Sequence, residues 1–324
     1  MPTNVSVRRE ALAAVREGAV VPAAAFPRTD ADCRAFAWSL GLPGYLDVHV
    51  HLLPPALQQA VWDYFDALDD PPWPVTYRAD EAARLATLAQ VGVVAHTALA
   101  YPHRPRVAAW CNDHTLGVAA RRPAVIPTFT FYPEEGIDEV VAAAIARGGR
   151  VAKVHLQVGR FHATDPRLDG VWPQLAAAGI PAVVHASAVY GVDGGDEYCG
   201  PDALRALLER YPDVLLIVAH LGMPDVRGFV SLAEAAPTVR LDTSMTMTDP
   251  PYFAEVPPDV LERLRALSDR VVFGSDFPTI PHPYAAQVRG LAALELDPAG
   301  LRGVLHDNAA RLLGMLPSVG FAVG

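Results

Sequence analysis

The chain has 324 residues, of which 51% are hydrophobic and 19% charged, with a formal net charge of −10. That composition suits one large apolar core and excludes a disordered or fibrous chain. With no basic run to neutralise phosphates, a nucleic-acid partner is not expected.

The N-terminal region reads as a helix over Val5–Arg16, a Pro- and Ala-rich loop, and a short helix over Asp30–Leu40. Residues 1–44 are too few to bury a core alone, so they are expected to cap the unit formed by 45–324. From Tyr45 onward, short β-branched runs alternate with helical patterns. The expected strands are Tyr45–His51, Val91–Leu99, Val125–Phe131, Val151–Val158, Pro181–Ser187, Val214–His220, Thr238–Thr243 and Arg270–Asp276. The helices between them are Ala79–Gln90, Arg106–Arg121, Ile137–Arg147, Gly170–Ala178, Asp202–Tyr211, Asp225–Ala235 and Pro258–Ser268, and Pro283–Glu295 and Pro298–Leu316 close the chain. Pro54–Tyr77, with Trp62, Tyr64, Phe65 and Trp73, reads as an enlarged first strand-to-helix loop. Pro201 and Pro258 suit first helical turns, where a missing N–H costs nothing, and each precedes an Asp that favours the positive helix end. Eight nearly continuous apolar strands alternating with helices predict an α/β fold, a parallel (β/α)8 TIM-like barrel with a short N-terminal helical extension.

Cys33, Cys111 and Cys199 are widely spaced and predict reduced thiols. The N-terminus carries Arg8, Arg9, Glu10, Arg16 and Glu17 without an apolar stretch, so no secretory signal is expected there. No uncharged run is long enough for a bilayer, and a cytoplasmic protein with no membrane partner is expected.

Polar residues end several of these apolar strands. Side chains two apart share a strand face, so His49 and His51 both point toward the C-terminal mouth. Two imidazoles against an apolar wall need a partner, and a divalent metal supplies one. His185, His220 and Asp276 end strands five, six and eight, where barrel enzymes place catalytic groups. The competing reading is a set of interior histidines satisfied by hydrogen bonds. Convergence of all five at one mouth favours the metal.

The motifs Asp47-Val-His-Val-His51, Val151-Ala-Lys-Val-His155, Val184-His185, Ala219-His-Leu-Gly222 and Gly274-Ser-Asp-Phe-Pro278 resemble those of the amidohydrolase superfamily. They match its amidohydrolase-related branch, with aminocarboxymuconate-semialdehyde decarboxylase, resorcylate-type decarboxylases and lactonases. Asp307-Asn-Ala-Ala-Arg-Leu-Leu313 is similar to the family's last helix, and the resemblance spans roughly residues 45–316. It implies one divalent ion, usually zinc with manganese or iron as alternatives, held by His49, His51, His185 and Asp276. It also implies that Asp276 shuttles the proton of an activated water, and that His220 either holds that water or polarises a substrate carbonyl. A homodimer acting on a small molecule is implied as well.

Lys153 falls near the position where binuclear relatives carry a carboxylated lysine. The resemblance favours one metal, with Lys153 an interior lysine paired to an acid such as Asp47. Lys153, His155, Tyr101 and Arg160 are candidates for substrate contact, and His155 and Gln157 are candidates either to touch substrate or to orient a ligand. Arg104, Arg106 and Arg160 are the arginines that would clamp a carboxylate, although a solvated loop is the stronger reading of each, and Asp242 is expected to hydrogen-bond His220 or a neighbouring loop rather than bind metal. Met223, Met245 and Met247 are candidates for an adaptable pocket, and Trp73, Phe131 and Tyr132 for flanking a ring. Hydrolysis of a cyclic ester or amide is the first functional expectation. Metal-dependent, non-oxidative decarboxylation of an aromatic or muconate-type acid is the second, and a catalytically inert barrel the third.

Overall fold

The computed structural model describes residues 18–69, 72–188 and 194–316. The helix expected over Val5–Arg16 lies outside them. Eight strands run in chain order: β1 Tyr45–Asp47, β2 Val93–His96, β3 Thr128–Thr130, β4 Val151–His155, β5 Ala182–His185, β6 Leu216–Val218, β7 Val239–Asp242 and β8 Val271–Val272. β1 pairs with β2, β3 to β8 form a second sheet in sequential order, and every pairing is parallel.

Two seams close these sheets into a barrel. Between β2 and β3, the Ile126 N–H donates to the His96 carbonyl at 2.7 Å. Between β8 and β1, the Val48 N–H donates to the Phe273 carbonyl at 3.0 Å and the Asp276 N–H to the His49 carbonyl at 2.7 Å. The second seam therefore joins the backbone of two of the residues singled out above.

The helices are α1 Asp30–Ser39, α2 Pro55–Asp66, α3 Glu81–Val91, α4 Ala108–Ala119, α5 Ile137–Ala146, the single turn α6 Leu156–Gly159, and α7 Val171–Ala178. They continue with α8 Pro201–Arg210, α9 Val226–Ala235, α10 Pro258–Ala266, α11 Tyr284–Gly290, α12 Pro298–Arg302 and α13 Asn308–Leu312. Gly179 takes the left-handed conformation at φ 63° and ends α7. None of the described helices is long and apolar enough to cross a membrane.

Three expectations are corrected. The Pro54–Tyr77 segment contains a three-turn helix, α2, started by Pro55 in its first turn. Helix α4 begins at Ala108 rather than Arg106, because Arg106 sits at φ 67° with its N–H on the Glu134 carboxylate at 2.7 Å. The strand expected over Val151–Val158 ends at His155, where the chain turns into α6. Gln157 therefore leaves the alternating strand face.

The main apolar core fills the space between strands and helices. A separate cluster contains Val151, Val183 and Ile217 together with Ala309, Ala310 and Leu313 at the chain's last helix. Val151 and Val183 stand two residues before Lys153 and His185, so this cluster floors the site one layer below it.

Among the contacts that tie the N-terminal segment to the barrel, one carboxylate collects several donors. Asp30 accepts the Ala285 N–H at 2.9 Å and the Tyr77 hydroxyl, whose oxygen accepts the Tyr284 N–H at 2.6 Å. Asp30→Ala leaves those donors unmatched, which costs about 1–3 kcal/mol. The main thermal transition should shift downward in calorimetry. An unchanged transition would mean that this segment folds apart from the barrel.

Candidate metal centre

His49 follows β1 with both ring nitrogens engaged. Nδ1 lies 2.8 Å from Asp242 Oδ2, so this nitrogen carries the hydrogen and donates it. The Nε2 lone pair then faces Asp276 Oδ1 at 3.4 Å and Lys153 Nζ at 3.4 Å. His51 is oriented in the same way. Its Nδ1 meets the Leu99 carbonyl at 3.1 Å, which leaves Nε2 as an acceptor 3.0 Å from Asp276 Oδ1.

Two lone-pair nitrogens and a carboxylate oxygen thus face one another, and acceptors at this separation repel unless a cation lies among them. His49, His51 and Asp276 place their ligand atoms within 4.8 Å of one another. Metal bonds of about 2.0–2.2 Å separate tetrahedral ligand atoms by roughly 3.3 Å, so the spacing suits one ion. The Lys153 ammonium reaches only the His49 lone pair among these three.

Second contacts fix this arrangement. Asp242 Oδ1 accepts the N–H groups of His220 and Ser244, each at 3.0 Å, while Oδ2 holds His49. Ser244 Oγ donates to Asp242 and lies 2.8 Å from His220 Nδ1 and 3.1 Å from His49 Nδ1. Such carboxylate–imidazole contacts set ring orientation and tautomer at metal sites. Gly274 provides the room: a Cβ there would stand 2.8 Å from the Cβ of His49. His220 and Asp276 both take left-handed backbone at φ 58° and 61°, conformations that few non-glycine residues hold without surrounding contacts. Ser244 carries no spacing signal in the sequence, and only the fold reveals its place.

His185 and His155 follow from register. They pair directly across β4 and β5, and their rings stack at 3.8 Å with 12° between planes. His185 Nδ1 lies 3.1 Å from His220 Nε2, whereas its buried Nε2 has no hydrogen-bond partner among the described residues. His185 stays outside the group formed by His49, His51 and Asp276. His220 belongs instead to a second group with His49 and Asp242.

Burial sets the charges. It pushes the His49 imidazole down to about 3, helped by Lys153 and opposed by Asp242 and Asp276. Burial likewise drives His185 and His155 well below the ordinary imidazole range, and lowers the Lys153 ammonium to about 8 against the pull of Asp242 and Asp276. Burial raises the Asp242 carboxyl, but the hydrogen donated by His49 Nδ1 outweighs it and keeps Asp242 ionised. The acids that act on Lys153 are therefore Asp242 and Asp276. Asp47 is engaged elsewhere, by the Tyr284 hydroxyl at 2.9 Å and the His49 N–H at 3.0 Å.

Two cavities, of about 610 and 500 Å³, meet at His185, His220, Asp276 and Phe65. The smaller includes Tyr101, Lys153, His155 and Arg160 among its lining, so all four candidate substrate contacts face it. Arg104 and Arg106 are exposed and line neither. Gln157 Nε2 instead anchors the loop after β5 through the Gly194 carbonyl at 3.3 Å and Asp196 Oδ1 at 2.8 Å. Trp73, Met223 and Met245 line the larger cavity. Met247 joins the main core, Phe131 packs edge-on against Trp172, and the Tyr132 hydroxyl donates to the Gly159 carbonyl.

A family model described as amidohydrolase matches residues 46–315. The chain belongs to the amidohydrolase family. It is an enzyme with the barrel and donor set of a metal-dependent fold. An uncharacterised TIM-barrel protein from Bordetella bronchiseptica is 19% identical with TM-score 0.67, the match covering 83% of this chain and 98% of that one. A protein assigned as a 2-pyrone-4,6-dicarboxylic acid hydrolase from Pseudomonas putida is 17% identical with TM-score 0.58, over 85% and 99% of the two chains. A 5-carboxyvanillate decarboxylase from Novosphingobium aromaticivorans, crystallised with manganese, is 13% identical with TM-score 0.59, over 83% and 97%. No curated protein matches the chain in sequence.

Acid should unfold the metal-free enzyme early. His49, His96, His155 and His185 are held neutral by burial, so the unfolded chain binds more protons. Their contribution is complete above the unfolded value of 6.5 and is lost as pH falls toward about 4 and 3, the folded values of His96 and His49. Asp47, which burial raises to about 7, acts in the opposite direction over part of that window but is one group against four. Denaturant unfolding should show stability falling between pH 7 and 5. A flat or rising profile would contradict these assignments.

Proposed function

We propose that the enzyme hydrolyses a small ester, lactone or amide with one divalent ion, zinc, held by His49, His51, Asp276 and His185. The observation that carries this reading is the set of lone pairs converging beside Asp276. His185 adds its unpartnered Nε2, oriented by the contact of its Nδ1 with His220. Such an ion, when bound, supplies Lewis acidity and a water that ionises near neutral pH.

The chain's own groups then divide the work. Asp276 is ionised, and its side chain is 20% exposed in an otherwise buried cluster, so it reaches both cavities. It takes a proton from the attacking water as the water oxygen bonds to the carbonyl carbon. The bond to the leaving oxygen or nitrogen breaks, and Asp276 returns the proton there. His220 directs Nδ1 at the Ser244 carbonyl at 3.2 Å, so Nε2 is an acceptor. That nitrogen takes the hydrogen of His185 Nδ1 at 3.1 Å, so His220 orients His185 rather than holding water or polarising a carbonyl oxygen. Lys153, His155, Tyr101 and Arg160 face the substrate from the smaller cavity.

Decarboxylation of an aromatic acid is the second reading. Arg160 at the smaller cavity supports it. The outward placement of Arg104 and Arg106 weakens it, because a carboxylate clamp there would need arginines facing the cavity. A panel of lactones, amides and aromatic acids, monitored for hydrolysis and for CO₂, separates the two; CO₂ release without hydrolysis would overturn the first. Cys33, Cys111 and Cys199 form no disulfide, which suits the reducing cytoplasm we propose for the enzyme.

Asp276→Asn should lower kcat by about 10²–10⁴-fold, the usual share of a positioned base, while retaining much of the metal by elemental analysis. Near-normal turnover would remove Asp276 from this role. His49→Ala should lose metal first and activity with it, and full occupancy in that variant would contradict the ligand assignment.

A further inference from the structure

The His155 ring has a defined tautomer. Its Nδ1 accepts the Val158 N–H at 3.3 Å, where the single turn α6 folds back on the residue before it. The ring hydrogen therefore sits on Nε2, which has no hydrogen-bond partner among the described residues. Stacking on His185 at 3.8 Å holds the plane of the ring.

Tyr101 stands beside it. Two residues earlier, the Leu99 carbonyl meets His51 Nδ1 at 3.1 Å, and the Tyr101 ring then packs on His51 at 5.6 Å and on His155 at 5.1 Å. The Tyr101 hydroxyl also has no hydrogen-bond partner among the described residues, and the strongest charge acting on it is that of Asp276. Both side chains line the cavity of about 500 Å³, together with Asp276.

The fold spends neither donor on itself, which leaves both for whatever fills the cavity. Neighbouring polar groups are committed. Lys153 Nζ is turned to His49 Nε2 at 3.4 Å, the Gln157 amide is engaged by Gly194 and Asp196, and Arg160 has a partner of its own. His220 Nε2 accepts a hydrogen, so it offers none to a carbonyl.

We propose that Tyr101 Oη–H and His155 Nε2–H together receive the carbonyl oxygen of the substrate and the negative charge it gains as water adds to the carbonyl carbon. Both groups keep their hydrogens, and Asp276 alone moves a proton. The proposal rests on the hydrolytic reading above, which supplies the carbonyl that becomes an oxyanion. Donors already in place where charge develops are effective because nothing has to reorganise during the reaction.

Binding of methylphosphonate, a tetrahedral oxyanion, to the zinc-loaded enzyme tests this without turnover. Tyr101→Phe removes one oxygen and keeps the ring on His51 and His155. It should weaken methylphosphonate by about 10-fold or more in calorimetry, the usual worth of a hydrogen bond to a charged group. His155→Phe, which keeps a ring beside His185, should do the same. Ethanethiol reaches zinc through sulfur and accepts hydrogen bonds poorly, so it should bind both variants as it binds the parent, with zinc content unchanged. Equal losses for the two ligands, or methylphosphonate binding untouched by Tyr101→Phe, would overturn the proposal. For any ester or lactone that is turned over, Tyr101→Phe should lower kcat by about 10²-fold with little change in KM. Selective loss of methylphosphonate without hydrolysis of any ester, lactone or amide keeps the donor pair and removes the hydrolase reading. Hydrolysis undiminished in Tyr101→Phe does the reverse.

Discussion

Three acceptor atoms that repel one another are held together in the barrel mouth. His49 Nε2, His51 Nε2 and Asp276 Oδ1 stand 3.0–3.4 Å apart across their two closest contacts, with hydrogens on the far side of both rings. A protein interior tolerates such a cluster only when something else offsets the repulsion. A bound cation would do so, and the surrounding contacts hold these three atoms in place.

That support runs through the seam that closes the barrel. The Asp276 N–H bonds to the His49 carbonyl, so the backbones of two of the three donors are locked to each other across β8 and β1. Gly274 lets those segments approach, Asp242 fixes the His49 ring, and Asp47 ties the His49 N–H to the Ser275 N–H and the Tyr284 hydroxyl. Closure of the fold and positioning of the chemistry depend on the same few hydrogen bonds. The buried Lys153, lowered to about 8, places one positive charge beside two ionised carboxylates. The cluster therefore keeps a negative balance that suits a divalent ion.

Much of this was legible in the sequence because it is periodic. Apolar strands ending in His or Asp mark both the barrel and the mouth, and the alternation of His49 with His51 gives their shared direction. What was not legible depends on contacts distant in sequence. The helix Pro55–Asp66 lay inside what reads as a loop, since its aromatic residues resemble pocket lining as much as helix surface. Gln157 reads as a strand residue, yet the chain coils directly after His155 and turns its amide toward Asp196. Asp242 was legible as a supporting acid bonded to His220, but the fold alone shows that it also holds the His49 ring. Ser244 had no signal, because its three polar neighbours come from β1, β6 and β7 or the segments just after them. Arg104 and Arg106 lie in solvent, as the reading of their segment as a solvated loop expects.

The central claim concerns where a metal sits. Crystals of the zinc-loaded enzyme, measured just above and below the zinc absorption edge, test it directly. One anomalous peak is expected within bonding distance of His49 Nε2, His51 Nε2 and Asp276 Oδ1, with His185 Nε2 as the fourth ligand. A zinc-free site in fully loaded crystals, or a peak bound by other residues, would contradict it.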